Sequence, residues 1–253
     1  METLKKLRIL NSNTIKLIAA IAMFLDHFVL IFFPSVAWFR MVGRLAMPIF
    51  AFAIAEGCRY TKNKWKHFFL LFGLGAACQV VYYIFDPTDL YFGILITFSF
   101  STLMIYAMQF AKKCTFDKEA NILLKIGAWL LFFALVAGTF LFCQHFTVDY
   151  RFWGCTLPVF ASIFDFHRIP APSLLKKLDV LPLRIFCMAI PMIPLLFVGL
   201  PIEILWCSLL AIPLLLLYNG KKGKANMKYF FYIFYPLHLG LLEGTAILMY
   251  LLG

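Results

Sequence analysis

Charged residues are scarce in this chain of 253 residues: Asp, Glu, Lys and Arg make up 14% of it, whereas 63% of the residues are hydrophobic. Soluble domains are close to half apolar and a quarter charged. A fold in water cannot bury so much apolar surface, so the composition excludes an ordinary soluble domain. The 30 phenylalanines agree with a protein that lies in a lipid bilayer.

Paired cysteines and other metal-ligand patterns are also missing. The seven cysteines (58, 78, 114, 143, 155, 187 and 207) stand singly, with no CxxC and no Cys/His cluster at metal-ligand spacing. Most lie in apolar stretches, where cysteine behaves as a small hydrophobic residue. We therefore expect neither a metal site nor a disulfide framework. The sequence has no GxSxG nucleophile motif either.

Nine apolar stretches approach the roughly 20 residues that a helix needs to cross a bilayer. They lie near residues 14–33, 43–59, 67–86, 91–111, 122–143, 150–167, 183–199, 201–217 and 229–251. Two prolines interrupt the seventh stretch, and it lies close to the eighth, so a re-entrant pair is an alternative there. The pattern predicts one all-α domain, residues 1–253, as a polytopic transmembrane helical bundle of about nine spans.

Basic residues alternate along the chain. The N-terminal segment and the second, fourth, sixth and eighth loops carry four each, which accounts for 20 of the 23 Lys and Arg residues. Because Lys and Arg concentrate in cytoplasmic loops, nine spans with a cytoplasmic N-terminus fit this pattern. The net charge of +11 is then a signal of topology, and we do not expect nucleic-acid binding.

Three ionisable residues near the ends of the first two spans are candidates for function, because such groups are costly inside a membrane. Asp26 and His27 lie in the first span, and Arg44 lies at the start of the second. A carboxylate beside an imidazole can orient the ring for general-base catalysis. A guanidinium binds carboxylate or phosphate groups. The structural alternative is a buried ion pair between Asp26 and Arg44 that only holds two helices together.

A second histidine lies about nine residues into the last span. His238 follows Tyr235 by three residues, so the two side chains share a helix face. Pro236 frees a backbone carbonyl, and such breaks often line cavities. This pattern favours a functional histidine, and a core histidine bonded to the freed carbonyl is the alternative.

Two further sites are weaker candidates. Asp149, predicted at the outer surface, is suited to position Arg44 or to bind an amine substrate. Lys221 and Lys222, in a Gly- and Lys-rich segment, are suited to bind phosphate. For the two lysines, an ordinary basic cytoplasmic loop is the alternative interpretation.

Six sequence runs resemble the TraX family, in order and over nearly the whole chain. They are NTIKLIAAIAMFLDHF, VGRLAMPIFAFAIAEGCRYTKN, LITFSFSTLMIY, DYRFWG, LLLYNGKKG and KYFFYIFYPLHL. That family is named for a protein that acetylates the N-terminus of the F-pilin subunit at the bacterial inner membrane. The resemblance implies a multi-pass protein of that membrane that transfers an acetyl group from cytoplasmic acetyl-CoA to an amine or hydroxyl acceptor. It does not imply that pilin is the acceptor.

The resemblance also implies roles for the candidate residues. His27 is the expected general base, and Asp26 orients it or balances its charge. Arg44 holds an acidic group of acceptor or donor, and Tyr235 and His238 bond the thioester carbonyl or the pantetheine arm. The two lysines meet the nucleotide phosphates of the donor. Transfer through an acyl-histidine remains an alternative to direct transfer.

Two other function classes stay open at this stage. Buried Asp, His and Arg residues also serve proton relays in transporters, and a non-catalytic membrane assembly factor needs no active site. Transporters often contain two similar halves with paired helix breaks, and the sequence shows no such repeat. The acceptor, the acyl-chain length and the oligomeric state are not determined, and a homo-oligomer is compatible with the sequence.

Overall fold

The computed structural model of the protein describes residues 8–85, 91–197 and 206–252. Nearly all regular structure there is helical, as predicted. The helices are α1 (Ser12–Phe32), α2 (Ala37–Gly43), α3 (Ala46–Tyr60), α4 (Lys64–Phe85), α5 (Ile94–Phe116), α6 (Ile122–His145), α7 (Arg151–Ala161), α8 (Ser173–Lys177), α9 (Leu181–Leu195), a 3₁₀ turn (Cys207–Leu210), α10 (Ala211–Leu216) and α11 (Lys228–Leu252). Two short strands, β1 (Tyr91–Phe92) and β2 (Thr147–Val148), pair in parallel.

Asparagine side chains begin two of the long helices. The Oδ1 atom of Asn11 accepts a hydrogen bond from the backbone N–H of Thr14 at the start of α1. Asn121 caps α6 in the same way, through the N–H of Leu124. Each cap satisfies one of the backbone donors that a helix N-terminus leaves without an intrahelical partner. These local signals set where the two helices begin.

Five helical segments of the described residues are long and apolar enough to cross a membrane. They are Ser12–Phe32, Trp38–Tyr60, Ile94–Phe116, Ile122–His145 and Tyr229–Leu252. They correspond to the first, second, fourth, fifth and ninth of the predicted spans. The multi-pass helical membrane architecture is therefore confirmed.

The remaining predicted spans correspond to other helices. At 1.5 Å per residue, α7 with its 11 residues is about 16 Å long, roughly half the hydrocarbon thickness. Helices α9 and α10 are short as well. The nine-span count and the cytoplasmic N-terminus remain predictions, and the junction of the seventh and eighth spans lies in 198–205, outside the described residues.

The chain divides into two compact units. The first comprises Met1–Ala53 and Leu196–Gly253, and the second comprises Ile54–Leu195. This division leaves the prediction of one domain over residues 1–253 untested. Each unit has its own helix packing and its own buried charges.

In the first unit, α1 packs against both α2 and α11. The segment that leads into α1 pairs with the segment after α10: the backbone N–H of Leu10 donates to Leu217 O, and the N–H of Asn219 donates to Leu10 O. The start of α1 and the loop at 217–227 are therefore held together by the backbone. Because α1 has helical neighbours on two sides, its polar residues can meet partners from both.

In the second unit, α5 is the central helix. It packs against α4, α6 and α7, and α7 packs against α9. Of the most apolar stretch of α5, 72% is buried inside the protein, whereas the corresponding stretch of α6 is 17% buried. A helix that is apolar all round and buried belongs in a core, whereas an apolar exposed helix suits contact with lipid. Two helices of similar composition thus take different places in the fold.

Candidate imidazole and arginine site

Two histidines from different helices of the first unit form a direct hydrogen bond. The Nδ1 atom of His27 in α1 lies 2.8 Å from the Nε2 atom of His238 in α11. The two rings are nearly parallel, with centroids 5.0 Å apart. His238 is buried and His27 is partly buried. The structure thus brings together the two histidines that the sequence predicted, although they are 211 residues apart.

The backbone determines the tautomer of this pair. The Nδ1 atom of His238 lies 2.8 Å from the carbonyl oxygen of Phe234, one turn earlier in α11. A carbonyl only accepts hydrogen bonds, so Nδ1 of His238 carries the proton, and the Nε2 atom of the neutral ring is an acceptor. His27 must then donate from its own Nδ1. Its Nε2 atom is left with a lone pair and has no hydrogen-bond partner among the residues that the structure describes.

Aromatic side chains of α11 surround His238. The Phe234 ring stacks on the imidazole with centroids 4.8 Å apart. The Tyr235 ring meets it edge to face at 5.9 Å, and Tyr235 is buried. Flat contacts on one side and an edge contact on another restrict rotation of the imidazole. The carbonyl that His238 contacts belongs to Phe234, whereas a proline at position 236 frees the carbonyl of residue 232. The bond to the freed carbonyl, which was the alternative interpretation of His238, is therefore not the bond observed.

Asp26, the neighbour of His27, points toward the arginines near the start of the second span. Its Oδ2 atom accepts a hydrogen bond from Nη2 of Arg44, and both residues are buried. Its Oδ1 atom lies 3.8 Å from Nε of Arg40. The buried ion pair that the sequence offered as the structural alternative is therefore present. It joins α1 to the residue that follows α2.

A glycine makes this approach possible. A Cβ atom built on Gly43 would lie 2.7 Å from Cγ and 2.9 Å from Oδ1 of Asp26. Carbon atoms do not come that close in folded proteins, so any side chain at this position would displace the carboxylate. Close contact between small residues and a neighbouring helix is a common means of packing membrane helices. Gly43 therefore fixes how near α1 and α2 can be at the level of Asp26.

The predicted phosphate-binding lysines lie in the loop that is tied to the start of α1. Both Lys221 and Lys222 are exposed. The backbone N–H of Ser12 donates to Lys221 O at 2.8 Å, and the side-chain amide of Asn13 donates to Ala225 O at 2.7 Å. Gly223 in this loop has a φ of +93°, a left-handed conformation that glycine adopts without strain. The structure thus places the two lysines at the N-terminal end of α1, which is farther from His27 than the C-terminal end.

Asp149, the remaining predicted site residue, belongs to the second unit. Its backbone N–H donates to Phe92 O at 2.8 Å, and its backbone carbonyl accepts from the hydroxyl of Thr97 at 2.9 Å. These contacts fix the junction between β2 and α7. Its predicted relation to Arg44 in the first unit remains a prediction.

A second cluster of buried charges, which we call the six-charge cluster, was not predicted as a cluster. It lies in the second unit and consists of Glu56, Arg59, Lys112, Asp165, Asp179 and Arg184. Arg184 Nη1 lies 2.6 Å from Glu56 Oε1. Arg59 Nη1 lies 2.9 Å from an oxygen of Asp165 and 2.6 Å from one of Asp179.

The remaining cation of the six-charge cluster binds backbone. The Nζ atom of Lys112 donates to the carbonyls of Ser162 at 2.9 Å and Ile163 at 2.6 Å, just after α7 ends. Arg184 Nε adds a bond to Ala161 O at 3.0 Å. The three carbonyls lie at or just beyond the C-terminus of α7, where intrahelical donors run out, and Ser162 O also accepts from the backbone N–H of Asp165 at 3.1 Å. From sequence, Lys112 and Arg184 are ordinary loop cations, and only their burial in the fold shows otherwise.

In the part of the chain that the structure describes, no group of three or more His, Cys, Asp or Glu residues could hold a metal ion. The site of the first unit therefore consists of an imidazole pair with one unprotonated nitrogen and, on the adjacent residue, a carboxylate bound by arginines. A proton acceptor beside guanidinium groups is an arrangement suited to proton transfer and to the binding of anions.

The fold and these buried polar residues define a multi-pass helical membrane protein with a polar site inside one of its two units. The chain belongs to the TraX family: the family model described as "TraX protein" matches residues 11–246. The chain is also similar to the "Probable fimbrial assembly protein FimC, serogroup H1" of Dichelobacter nodosus. The two are 28% identical over 250 residues, which cover 90% of this chain and 92% of the relative. No solved structure matches the chain.

Proposed function

We propose that the protein is a membrane acyltransferase that moves an acetyl group from acetyl-CoA to an amine or hydroxyl acceptor, with Nε2 of His27 as the general base. The observation that carries this proposal is the series of hydrogen bonds from His27 through His238 to the carbonyl of Phe234. This series leaves a lone pair on one defined nitrogen. Membership of a family associated with pilin acetylation supports the same reaction class.

The reaction follows from that arrangement. The base accepts a proton from the acceptor's amine or hydroxyl while the acceptor's heteroatom forms a bond to the thioester carbonyl carbon. The tetrahedral intermediate then collapses, the carbon–sulfur bond breaks, and the imidazolium returns the proton to the departing thiolate. The products are the acetylated acceptor and free CoA. This direct route needs no covalent enzyme intermediate.

In this mechanism His238 is a positioning residue. Both of its ring nitrogens have partners. We therefore propose that His238 orients His27 and does not bond the thioester carbonyl. A bonded neighbour that fixes the tautomer and orientation of a catalytic imidazole is a well-established device in acyl transfer. As the imidazolium forms, the Nδ1–H of His27 continues to donate to His238. Tyr235, packed against His238, remains a candidate for lining the space in which the substrate binds.

Asp26 then serves the arginines more directly than it serves His27. Its carboxylate bonds Arg44, and adjacent residues of a helix point about 100° apart. We assign Asp26 the role of neutralising Arg44 and holding it beside α1. Two further proposals come from the sequence: Arg44 binds an acidic group, and Asp149 binds an amine.

For the donor, we propose that its phosphates bind near Lys221 and Lys222. The axial rise along α1 from Ser12 to His27 is about 22 Å, so an extended arm must run along this helix to bring the thioester to the base. If the membrane topology is that of nine spans with a cytoplasmic N-terminus, this loop faces the cytoplasm. The protein would then take acetyl-CoA from the cytoplasm and act at the bacterial inner membrane.

The test is acetyl transfer by the purified protein in detergent. Radiolabelled acetyl-CoA is incubated with candidate amine and hydroxyl acceptors, and free CoA and labelled product are measured. We expect turnover by the wild-type protein and a loss of about 100-fold or more in His27→Ala, since general-base catalysis contributes at least this much. His145→Ala is the matched control, because His145 is exposed at the end of α6. Absence of binding and turnover with every acyl-CoA would refute the proposal.

A second candidate function is supported by the name of the relative, which describes a probable fimbrial assembly protein. A membrane protein with that role need not catalyse a reaction. The two functions differ in the effect of His27→Ala. If the protein is a non-catalytic assembly factor, the folded variant should still support assembly. If the protein acts as an enzyme, the folded variant should lose its function in the cell. Complementation of a strain that lacks the gene, scored beside the folded amount of each variant, separates them.

A further inference from the structure

Arg40 is a charged residue beside the candidate site of the first unit, and the proposed mechanism does not use it. It lies in the last turn of α2, and its side chain is 20% exposed. Its closest carboxylate contact is Oδ1 of Asp26, at 3.8 Å from Nε, which is too long for a hydrogen bond. Both of these atoms are buried and have no hydrogen-bond partner among the described residues. A buried donor without a hydrogen-bond partner is costly, so the guanidinium of Arg40 is bonded less completely than its position favours.

Among the described residues, the guanidinium groups of Arg40 and Arg44 both contact the carboxylate of Asp26. The Arg44 guanidinium has the closer contact with that carboxylate, so Arg40 contributes a net positive charge. A guanidinium presents several donors in one plane, which matches the oxygens of a carboxylate or a phosphate. The arrangement therefore favours an anion.

This positive charge lies near the base. Asp26, which contacts Arg40, is adjacent to His27, so the guanidinium and the imidazole are on the order of 10 Å apart, given Cα atoms about 3.8 Å apart along the chain. The side chain of Arg40 is itself 20% exposed, so it is not fully enclosed by the protein.

We propose that Arg40 binds an oxyanion, a carboxylate or a phosphate, that the acceptor carries a few bonds away from the group that becomes acetylated. This inference rests on the proposed acyl transfer and specifies the class of acceptor. It assigns the recognition of the anion to Arg40, because the carboxylate of Asp26 already binds Arg44.

The position along α1 explains why the anion belongs to the acceptor and not to the donor. The lysines proposed to bind the donor phosphates lie at the start of α1, tied to Ser12. Arg40 lies in α2, which follows the other end of α1. Donor and acceptor subsites at opposite ends bring their reacting groups together at His27.

Matched acceptors test the proposal. Phenylalanine and phenethylamine differ in the carboxylate, and O-phosphoethanolamine and ethanolamine differ in the phosphate. We expect the wild-type protein to prefer one or both anionic partners by about tenfold to 100-fold in kcat/KM, as for hydrogen bonds to a charged group. In Arg40→Gln the ratio of kcat/KM between the anionic and the neutral partner should fall to about twofold. Arg40→Lys should retain part of it.

The two pairs separate the two sources of the anion, because a carboxylate site favours phenylalanine and a phosphate site favours O-phosphoethanolamine. Arg151→Gln is the control for loss of an arginine, since Arg151 is exposed and lies in the second unit. An unchanged preference in Arg40→Gln, or no preference in the wild-type protein, would overturn the inference.

A binding measurement keeps the inference independent of catalysis. We expect N-acetylphenylalanine or N-acetyl-O-phosphoethanolamine to raise the unfolding temperature of the wild-type protein and of His27→Ala, but not of Arg40→Gln. The uncharged N-acetylphenethylamine should have a smaller effect on the wild-type protein and on His27→Ala. If this stabilisation occurs while no acetyl transfer is found, the anion site stands and the proposed reaction fails. If neither anionic compound stabilises the wild-type protein, the anion site is refuted.

Discussion

The two compact units both bury charged side chains among apolar helices, but they balance these charges differently. The six-charge cluster of the second unit contains three carboxylates and three cations: Arg59 and Arg184 pair with carboxylates, and Lys112 and Arg184 bond backbone carbonyls. In the first unit, two guanidinium groups share one carboxylate, and His27 retains a nitrogen with a lone pair. Charges in equal number stabilise a fold, whereas an excess of one charge and an unprotonated imidazole nitrogen remain available for chemistry.

This comparison predicts that the second unit responds to charge removal mainly through stability. Glu56→Gln leaves the guanidinium of Arg184 buried without its counter-ion, which should cost about 3–5 kcal/mol of the free energy of unfolding. The measurement is thermal unfolding in detergent, with Glu119→Gln at an exposed position as the control. Replacing both partners, Glu56→Leu with Arg184→Met, should restore most of the loss. Equal stability of Glu56→Gln and the wild-type protein would contradict the description of the cluster as a structural ion-pair network.

In the first unit, the corresponding test should change activity and not stability. His238→Phe keeps an aromatic ring of similar size but removes the acceptor for the Nδ1–H of His27. We expect about 100-fold lower acetyl transfer, with an unfolding temperature close to that of the wild-type protein. His238→Gln can place a carbonyl oxygen near the former Nε2 atom, so it should retain more activity than His238→Phe. Similar losses in both variants would contradict the positioning role and indicate a packing role.

A glycine comparison distinguishes close packing from open lipid-facing surface. In Gly43→Ala the added methyl group overlaps Asp26. We expect the free energy of unfolding to fall by about 1–3 kcal/mol and the ion pair between Asp26 and Arg44 to weaken. Gly138→Ala in α6 is the matched control, because no atom lies within 4 Å of the added Cβ. That change should be neutral or stabilising by up to about 1 kcal/mol, since alanine favours helix. If both variants unfold at the same temperature, the close approach of α1 and α2 is not required.

The smallest expected effect concerns the exposed lysines. Lys221→Ala combined with Lys222→Ala should raise the KM for acetyl-CoA roughly three- to fivefold with kcat unchanged, because exposed charges contribute modestly. The effect should shrink at high ionic strength, which screens such charges. Lys176→Ala with Lys177→Ala removes two exposed lysines of the second unit and serves as the control. A larger effect in the control pair would assign the donor phosphates to another part of the protein.

Hydropathy and charge in the sequence predicted the broad architecture. Long apolar stretches follow directly from the need to satisfy backbone polar groups within a bilayer, and five of them appear as helices of sufficient length and apolarity to cross it. The same approach does not separate α5 from α6, because both are long and apolar. One is a core helix and the other is mostly exposed, and this depends on neighbours that lie far away in the chain.

For the site, the sequence identified most of the residue types and few of the contacts. His27, His238, Asp26 and Arg44 stand out because ionisable groups are costly inside a span. Their pairing is not encoded locally: His27 meets a residue 211 positions away. Arg40 lies only four residues before Arg44, and its sequence position suggests an ordinary surface arginine. Its incomplete bonding becomes visible only when the position of Asp26 is known.

What the sequence determined by itself is therefore that this is a multi-pass helical membrane protein with a few costly polar residues, since apolar length and charge are properties of a linear chain. Only the tertiary structure decided which of those residues are neutralised and which remain available. The carbonyl of Phe234 defines the tautomer of His238, and through it the lone pair of His27. Such a result depends on hydrogen-bond direction between two helices, and no single segment contains that information.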